Sequence, residues 1–156
     1  MILSRGTTVY NISTGGGLPL GIPLYWEIPV LHGVVTITSG TYTRISSKSV
    51  DLSGFPATYN GLNRDIRLNV IGEVPVGTGY TKLTDITTPG TADINFTVFN
   101  SYASSPTLVT SPSSIPVSAT PGDLSPSNTE IYELQSKIVG GASFTISSAW
   151  LSIAYL

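Results

Sequence analysis

Hydrophobic and polar residues alternate with a period of two along several stretches of the chain, the mark of strands with one buried face. In Asp65 to Ile71, Ile66, Leu68 and Val70 point one way and Asp65, Arg67 and Asn69 the other. Asp93 to Asn100 sets Ile94, Phe96 and Val98 against Asp93, Asn95 and Thr97. Glu130 to Ile138 sets Tyr132, Leu134 and Ile138 against Glu133, Gln135 and Lys137. In Val34 to Thr38, Val35 and Ile37 share a face before Ser39-Gly40 turns the chain. Gly and Pro recur and β-branched residues fill the runs between them, so helix signals are nearly absent. These runs predict one all-β core.

The last run changes phase. Phe144 and Ile146 sit at even positions, whereas Ala149, Leu151, Ile153 and Tyr155 sit at odd ones. The inward parity flips across Ser147-Ser148, which predicts a β-bulge there. Trp150 then falls on the face opposite Leu151, exposed unless a neighbouring subunit covers it.

Residues 1–32 read differently. Gly15-Gly16-Gly17 precedes a segment in which Pro19, Pro23 and Pro29 are interleaved with Leu18, Leu20, Ile22, Leu24, Tyr25 and Trp26. Prolines so spaced suit an extended arm without an internal hydrogen-bond ladder, and the apolar residues beside them require burial. The arm docks along another protein or tucks onto its own domain. Residues 33–156 form the second unit, a β-sandwich domain whose Ser/Pro/Gly-rich segments at 101–105, 111–114 and 120–128 are loops.

Composition narrows what such a domain does. The 156 residues suffice for one domain that buries its core without staples. Charged residues make up 10% of the chain, with seven basic and nine acidic side chains and a net charge of −2, against roughly 25% charged in an ordinary soluble domain. No basic field exists to hold a nucleic acid backbone. Twenty-one Ser and twenty Thr supply most of the surface polarity, and a mean hydropathy of +0.24 implies apolar area covered by a partner. The N-terminal residues lack the apolar core of a secretory signal, and the most apolar window, 18–31, is broken by three prolines and Glu27, so no membrane helix is expected.

Candidate chemistry is thin. The absence of cysteine removes disulfides, thiolate metal sites and cysteine nucleophiles together. Asp51, Asp65, Glu73, Asp85, Asp93, Glu130 and Glu133 are the carboxylates from which an acid–base pair would be drawn, but most occupy outward strand positions or turns. His32, the one histidine, stands beside Gly33 as a turn residue without a Gly-x-Ser-x-Gly elbow. Gly15-Gly16-Gly17 lacks the Lys-Ser/Thr and helix of a phosphate loop, and no calcium-loop spacing is present. Asn11-Ile12-Ser13 and Asn95-Phe96-Thr97 match the glycosylation sequon, which matters only in a eukaryotic secretory route. No enzymatic activity, cofactor or metal ion is expected.

The stretch Ile131 to Leu156, with Tyr132-Glu133-Leu134, the Gly140-Gly141 turn and the closing Leu151-Ser152-Ile153, resembles bacteriophage virion proteins with a jelly roll like that of tumour necrosis factor and C1q. Val34 to Thr43 is similar to an early strand, Gly turn and Tyr of the same family. The resemblance implies a jelly-roll sandwich of two antiparallel sheets, here with an extended N-terminal arm, assembled as a homotrimer about a threefold axis. Two virion roles follow. One is a decoration (cement) protein made in the host cytoplasm, bound to the major capsid protein on the outer surface of an icosahedral head. The other is the glycan-binding head of a tail fibre or tail-tip adhesin, with Trp150, Tyr102 or Tyr59 as stacking platforms. A fibre head normally follows a shaft, and only the short arm precedes this domain, which favours decoration. The expected capsid-docking residues are Leu18, Leu20, Ile22, Leu24, Tyr25 and Trp26, and the expected trimer contacts are Trp150 and Tyr155. Nucleic acid and membrane are not expected partners.

Overall fold

The computed structural model describes residues 2–4, 7–9, 25–87, 92–100, 105–120, 122–126 and 130–156, the first two strands by backbone alone and 92–100 likewise except at Ile94. No helix occurs among them. A short antiparallel hairpin, β1 (Ile2–Ser4) with β2 (Thr7–Val9), stands first. Then follow β3 (Tyr25–Leu31), β4 (Val35–Ile37), β5 (Thr43–Ser49), β6 (Thr58–Tyr59), β7 (Leu62–Glu73) and β8 (Thr78–Asp85). The chain ends with β9 (Ala92–Asn100), β10 (Thr107–Thr110), β11 (Ile131–Val139) and β12 (Phe144–Tyr155).

These strands form two packed antiparallel sheets, one ordered β10-β7-β12-β3 and the other β5-β11-β8-β9. β4 adds to β12 and β6 to β7 at the margins of the first. Outermost strands in sequence pair with each other: β3 with β12, β5 with β11, β7 with β10, and β8 with β9. That nested pairing is the order obtained by rolling one long hairpin into two sheets, which is a jelly roll.

The expected inward residues fill the core. Ile66, Leu68 and Val70 of β7, Tyr132, Leu134 and Ile138 of β11, and Phe144, Ile146, Leu151 and Ile153 of β12 are all buried. Phe144 occupies space that two glycines leave open, one in each sheet. A Cβ on Gly72 would lie 2.8 Å from its ring and one on Gly79 2.7 Å. Core hydroxyls are paired, as between the cross-strand partners Thr81 and Ser136, whose oxygens are 2.9 Å apart. Beyond β10 the chain keeps hold of β7 through Ser111 and Ser114, whose hydroxyls accept from the amides of Leu68 and Ile66.

The phase change in β12 is present where expected. The register with β7 skips Ser147 between Ile146 and Ser148. Before the bulge β12 pairs with β4, and after it with β3 on the same flank. A second irregularity explains a departure from expectation. The sandwich takes in residues from Tyr25 rather than from 33, because Tyr25 and Trp26 open β3 rather than extending an arm. Pro29, whose spacing suits an extended arm without a ladder, is tolerated here since β3 is an edge strand. The register beside it steps from Leu31 to Pro29, leaving Val30 as the extra residue, and Ser46 of the opposite sheet donates to the Val30 carbonyl at 2.5 Å.

β9 also departs from the expected phase. Its register skips Ile94 between Leu83 and Thr84, so Asn95 and Thr97 stand opposite the inward residues Leu83 and Thr81. Ile94 is half-buried against the core as expected, but backbone positions 96 and 98 stand opposite Lys82 and Tyr80. The bulge reverses the parity that alternation alone predicts.

Candidate assembly surface

β12 runs through the middle of the first sheet, so its outward side chains form the centre of a broad face. Register arranges that face in rows: Ser148, Ile71 and Leu108; then Pro29, Trp150, Asn69 and Thr110; then Glu27, Ser152 and Arg67; and Tyr25, Ala154 and Asp65. Leu108 is 54% exposed. Trp150 is half-buried, and its Nε1–H is enclosed without an acceptor among the described residues. A cavity of about 160 Å³ beside it is lined by Glu27, Pro29, Leu31, His32 and Ser148.

Polar groups of this face are matched to one another. Asn69 Nδ2 donates to Ser152 Oγ at 2.9 Å and to the Arg67 carbonyl at 3.2 Å, while its Oδ1 accepts from Thr110 Oγ1 at 2.9 Å. Arg67 Nε donates to both oxygens of Asp65 at 3.0 Å, and its Nη1 to the Ser111 carbonyl at 3.2 Å. Tyr25 OH donates to Glu27 Oε1 at 2.8 Å. Arg67 and Asp65 offset each other's charge, Glu27 is bonded by the neutral Tyr25 hydroxyl, and the hydrogen-bonding capacity of the face is largely used. The neutral polar groups of such a surface lose less when water is removed than free ones would, and the cost of covering the face falls on Glu27 and the Arg67–Asp65 pair.

The residues expected to touch partners divide. Leu18, Leu20, Ile22 and Leu24 lie outside the described residues. Trp26 packs on its own domain, beside the core and edge-on to Phe55 with ring centroids 5.3 Å apart. Tyr25 stays on the outward face. Tyr155 corrects an expectation: it is 4% exposed, donates to the Pro56 carbonyl at 2.9 Å and meets Tyr59 edge-on, so it belongs to the chain's own core and offers no contact surface. Its odd position places it with Leu151 and Ile153, the inward set. Trp150 holds the outward position expected of it.

The carboxylates serve local structure. Asp51 accepts from the Ser53 side chain and backbone, which lowers its pKa. Asp85 is buried and accepts from the Thr87 amide at 2.9 Å. Glu133 accepts from Arg44 at 3.3 Å and Gln135 at 2.9 Å. Glu130 accepts from Tyr132 OH at 2.9 Å, and the same phenol oxygen accepts from the Ser125 amide at 2.7 Å. Burial is the main cause of that phenol's raised pKa. His32 is exposed beside Gly33, whose φ is +92°, as expected of a turn. Among the described residues no three His, Asp or Glu side chains gather as a metal site, and no helix is long and apolar enough to cross a membrane.

No family model, curated protein or solved structure matches the chain. The Asn69–Ser152–Thr110 ladder was not legible as a unit in the sequence, since its members lie on three strands and each reads alone as ordinary surface polarity.

Proposed function

We propose that the protein is a structural subunit of a virion, a decoration protein that trimerises through the outer face of the β10-β7-β12-β3 sheet and clamps neighbouring capsid subunits on the shell surface. The observation that carries the assembly step is the self-satisfied face around Trp150. Ile71, Leu108, Trp150 and Ala154 offer apolar area, and the polar groups between them are already paired. A second copy placed there strands few donors. An obligate assembly of this kind usually buries more than about 2,000 Å², and several copies of a modest shell contact add up through effective concentration. The virion role itself rests on the resemblance of Ile131 to Leu156 to phage jelly rolls, and the arm residues Leu18, Leu20, Ile22 and Leu24 remain the shell-docking segment in this reading.

Mass by light scattering tests the assembly: a trimer is expected, and Ala154→Lys, which puts a charge into the face beside Tyr25 and Asp65, is expected to give monomers with a lower Tm that no longer depends on protein concentration. A wild-type monomer at micromolar concentration refutes it. Copy number per particle, by mass spectrometry against the major shell protein, tests the role. A count in the hundreds in fixed ratio to the shell supports decoration, a handful of copies moves the protein to the tail, and absence from particles sinks both virion roles. Removal of residues 1–24 leaves the sandwich strands intact and is expected to weaken shell binding.

A further inference from the structure

One end of the sandwich places an arginine at an inward position. β7 carries Arg64 in phase with Ile66 and Leu68, opposite the buried Tyr155 of β12, and Arg64 is half-buried there. Of the arginines whose side chains are described, Arg44 holds Glu133 and Arg67 holds Asp65, whereas Arg64 makes no ion pair among the described residues. Its Nη1 donates to the Phe55 carbonyl. Asp65, the next residue, falls on the outward side and is taken up by Arg67. The chain leaves space at this point. The segment after β10 runs along β7 as far as the Ile115 amide, which donates to the Ile66 carbonyl, and turns away at Pro116, whose carbonyl accepts from the Leu124 amide. From the other end, the Ala57 carbonyl accepts from the Arg64 amide. Between the two lies a pocket of about 300 Å³ lined by Arg64, Ala57, Ser114, Ile115, Pro116 and Val117.

We propose that this pocket binds an aliphatic monocarboxylate, with the Arg64 guanidinium and the Ser114 hydroxyl donating to its oxygens and Ala57, Pro116 and Val117 against its hydrocarbon body. A guanidinium carries five N–H donors in a fixed fork that matches the two oxygens of a carboxylate. The Phe55 carbonyl engages Arg64 through Nη1 alone, so donors remain. Ser114 Oγ accepts from the Ile66 amide, which leaves its own O–H to donate. A guanidinium drawn out of water without a counter-charge is costly, and a bound carboxylate removes that cost. The rest of the lining decides the class. No carboxylate is among the lining residues, which disfavours an amine, and no aromatic ring, which disfavours a stacked sugar. One guanidinium and one hydroxyl match a single negative charge better than the nearly doubled charge of a phosphate. A volume of about 300 Å³ is at the small end for ligand sites, which suits a short chain. The site lies within one chain, so the inference stands independently of trimerisation and of the virion role.

Backbone amide shifts of the intact chain report the test, on titration with acetate, isovalerate and hexanoate at constant ionic strength, with isovaleramide, isoamylamine and inorganic phosphate as controls. Saturable binding of isovalerate or hexanoate is expected at a Kd of about 1–10 mM, with acetate weaker and shifts centred on Ala57, Arg64, Ser114, Ile115 and Val117. Affinity should fall about tenfold or more in Arg64→Gln and be held in part by Arg64→Lys, which keeps the charge without the fork. Ala57→Leu keeps the guanidinium and its bond to Phe55 but fills the pocket, so the same loss is expected there; this variant carries the test if Arg64→Gln does not fold. The proposal is overturned if neither isovalerate nor hexanoate binds by about 50 mM, or if a control binds as tightly as the better carboxylate. Unchanged binding by Ala57→Leu, or by a folded Arg64→Gln, overturns it equally. Light scattering on the same variants should still give the wild-type mass, which separates failure here from failure of the assembly reading.

Discussion

Removing one member of the Thr81–Ser136 pair should cost more than removing both. Both residues are fully buried, and their hydroxyl oxygens are 2.9 Å apart across β8 and β11. Thr81→Val keeps the shape but leaves the Ser136 hydroxyl facing an apolar group. An unsatisfied buried hydroxyl costs about 1–3 kcal/mol, so a loss of about 2 kcal/mol is expected, and similarly for Ser136→Ala. The double substitution removes the pair and the orphan together, so its loss should stay under about 1 kcal/mol, a coupling of about 3 kcal/mol. Urea unfolding at constant m-value reads these differences, and for a chain of this size each kcal/mol moves Tm by about 2–4 °C. If the two single losses add within about 0.5 kcal/mol in the double variant, the hydroxyls do not satisfy each other and the core packing described above is wrong.

Burial raises the pKa of the Tyr132 and Tyr155 phenols above the ordinary value of 10.0. Between that value and the folded one the unfolded chain loses its protons first, so stability should be intact below pH 10 and decline as pH rises above it; equal alkaline slopes in wild type, Tyr132→Phe and Tyr155→Phe, from urea midpoints, would falsify this. Gly79→Ala drives a methyl group into the Phe144 ring and should cost about 1–3 kcal/mol, with recovery in Gly79→Ala/Phe144→Leu; a thermal melt within 1 °C of wild type speaks against the packing. Deletion of the bulge residue Ser147 leaves Ile146 and Ala149 inward in unbroken alternation, whereas deletion of Ser152 turns Ile153 and Tyr155 to the wrong face. The Ser152 deletion is expected to abolish cooperative unfolding and the Ser147 deletion to preserve it, as followed by near-ultraviolet circular dichroism.

Much of the sandwich is legible in the chain because half-buried strands write their inward residues at every second position. Ile66, Leu68 and Val70 show this, and so does the break in phase that marks Ser147 as a bulge. Bulges whose flanks are not both apolar leave no such trace. The one at Ile94 reverses β9 without altering its alternation, and the one at Val30 hides β3 in a proline-spaced segment that reads as an arm without a ladder. Tyr155 shares its odd parity with Leu151 and Ile153, and that inward phase outweighs its expected place among the trimer contacts. The pocket beside Arg64 exists only once Ala57 and the segment 114–117 meet along β7, so no local pattern announces it.

Nesting the strands first-to-last has a consequence for how the chain is made. The central strand of the larger sheet is also its last, β12, and β3 and β4 find no partner in that sheet until it arrives. During synthesis everything upstream of Phe144 therefore waits with its apolar side unsheltered, apart from pairings such as β8 with β9 and β7 with β10 that are local enough to form early. Contacts spanning most of the chain are slow to close. Nascent chains arrested before Phe144 should remain sensitive to protease on the ribosome, and those carrying Tyr155 beyond the exit tunnel should become resistant. The order of translation thus makes the last strand the step that commits the whole domain.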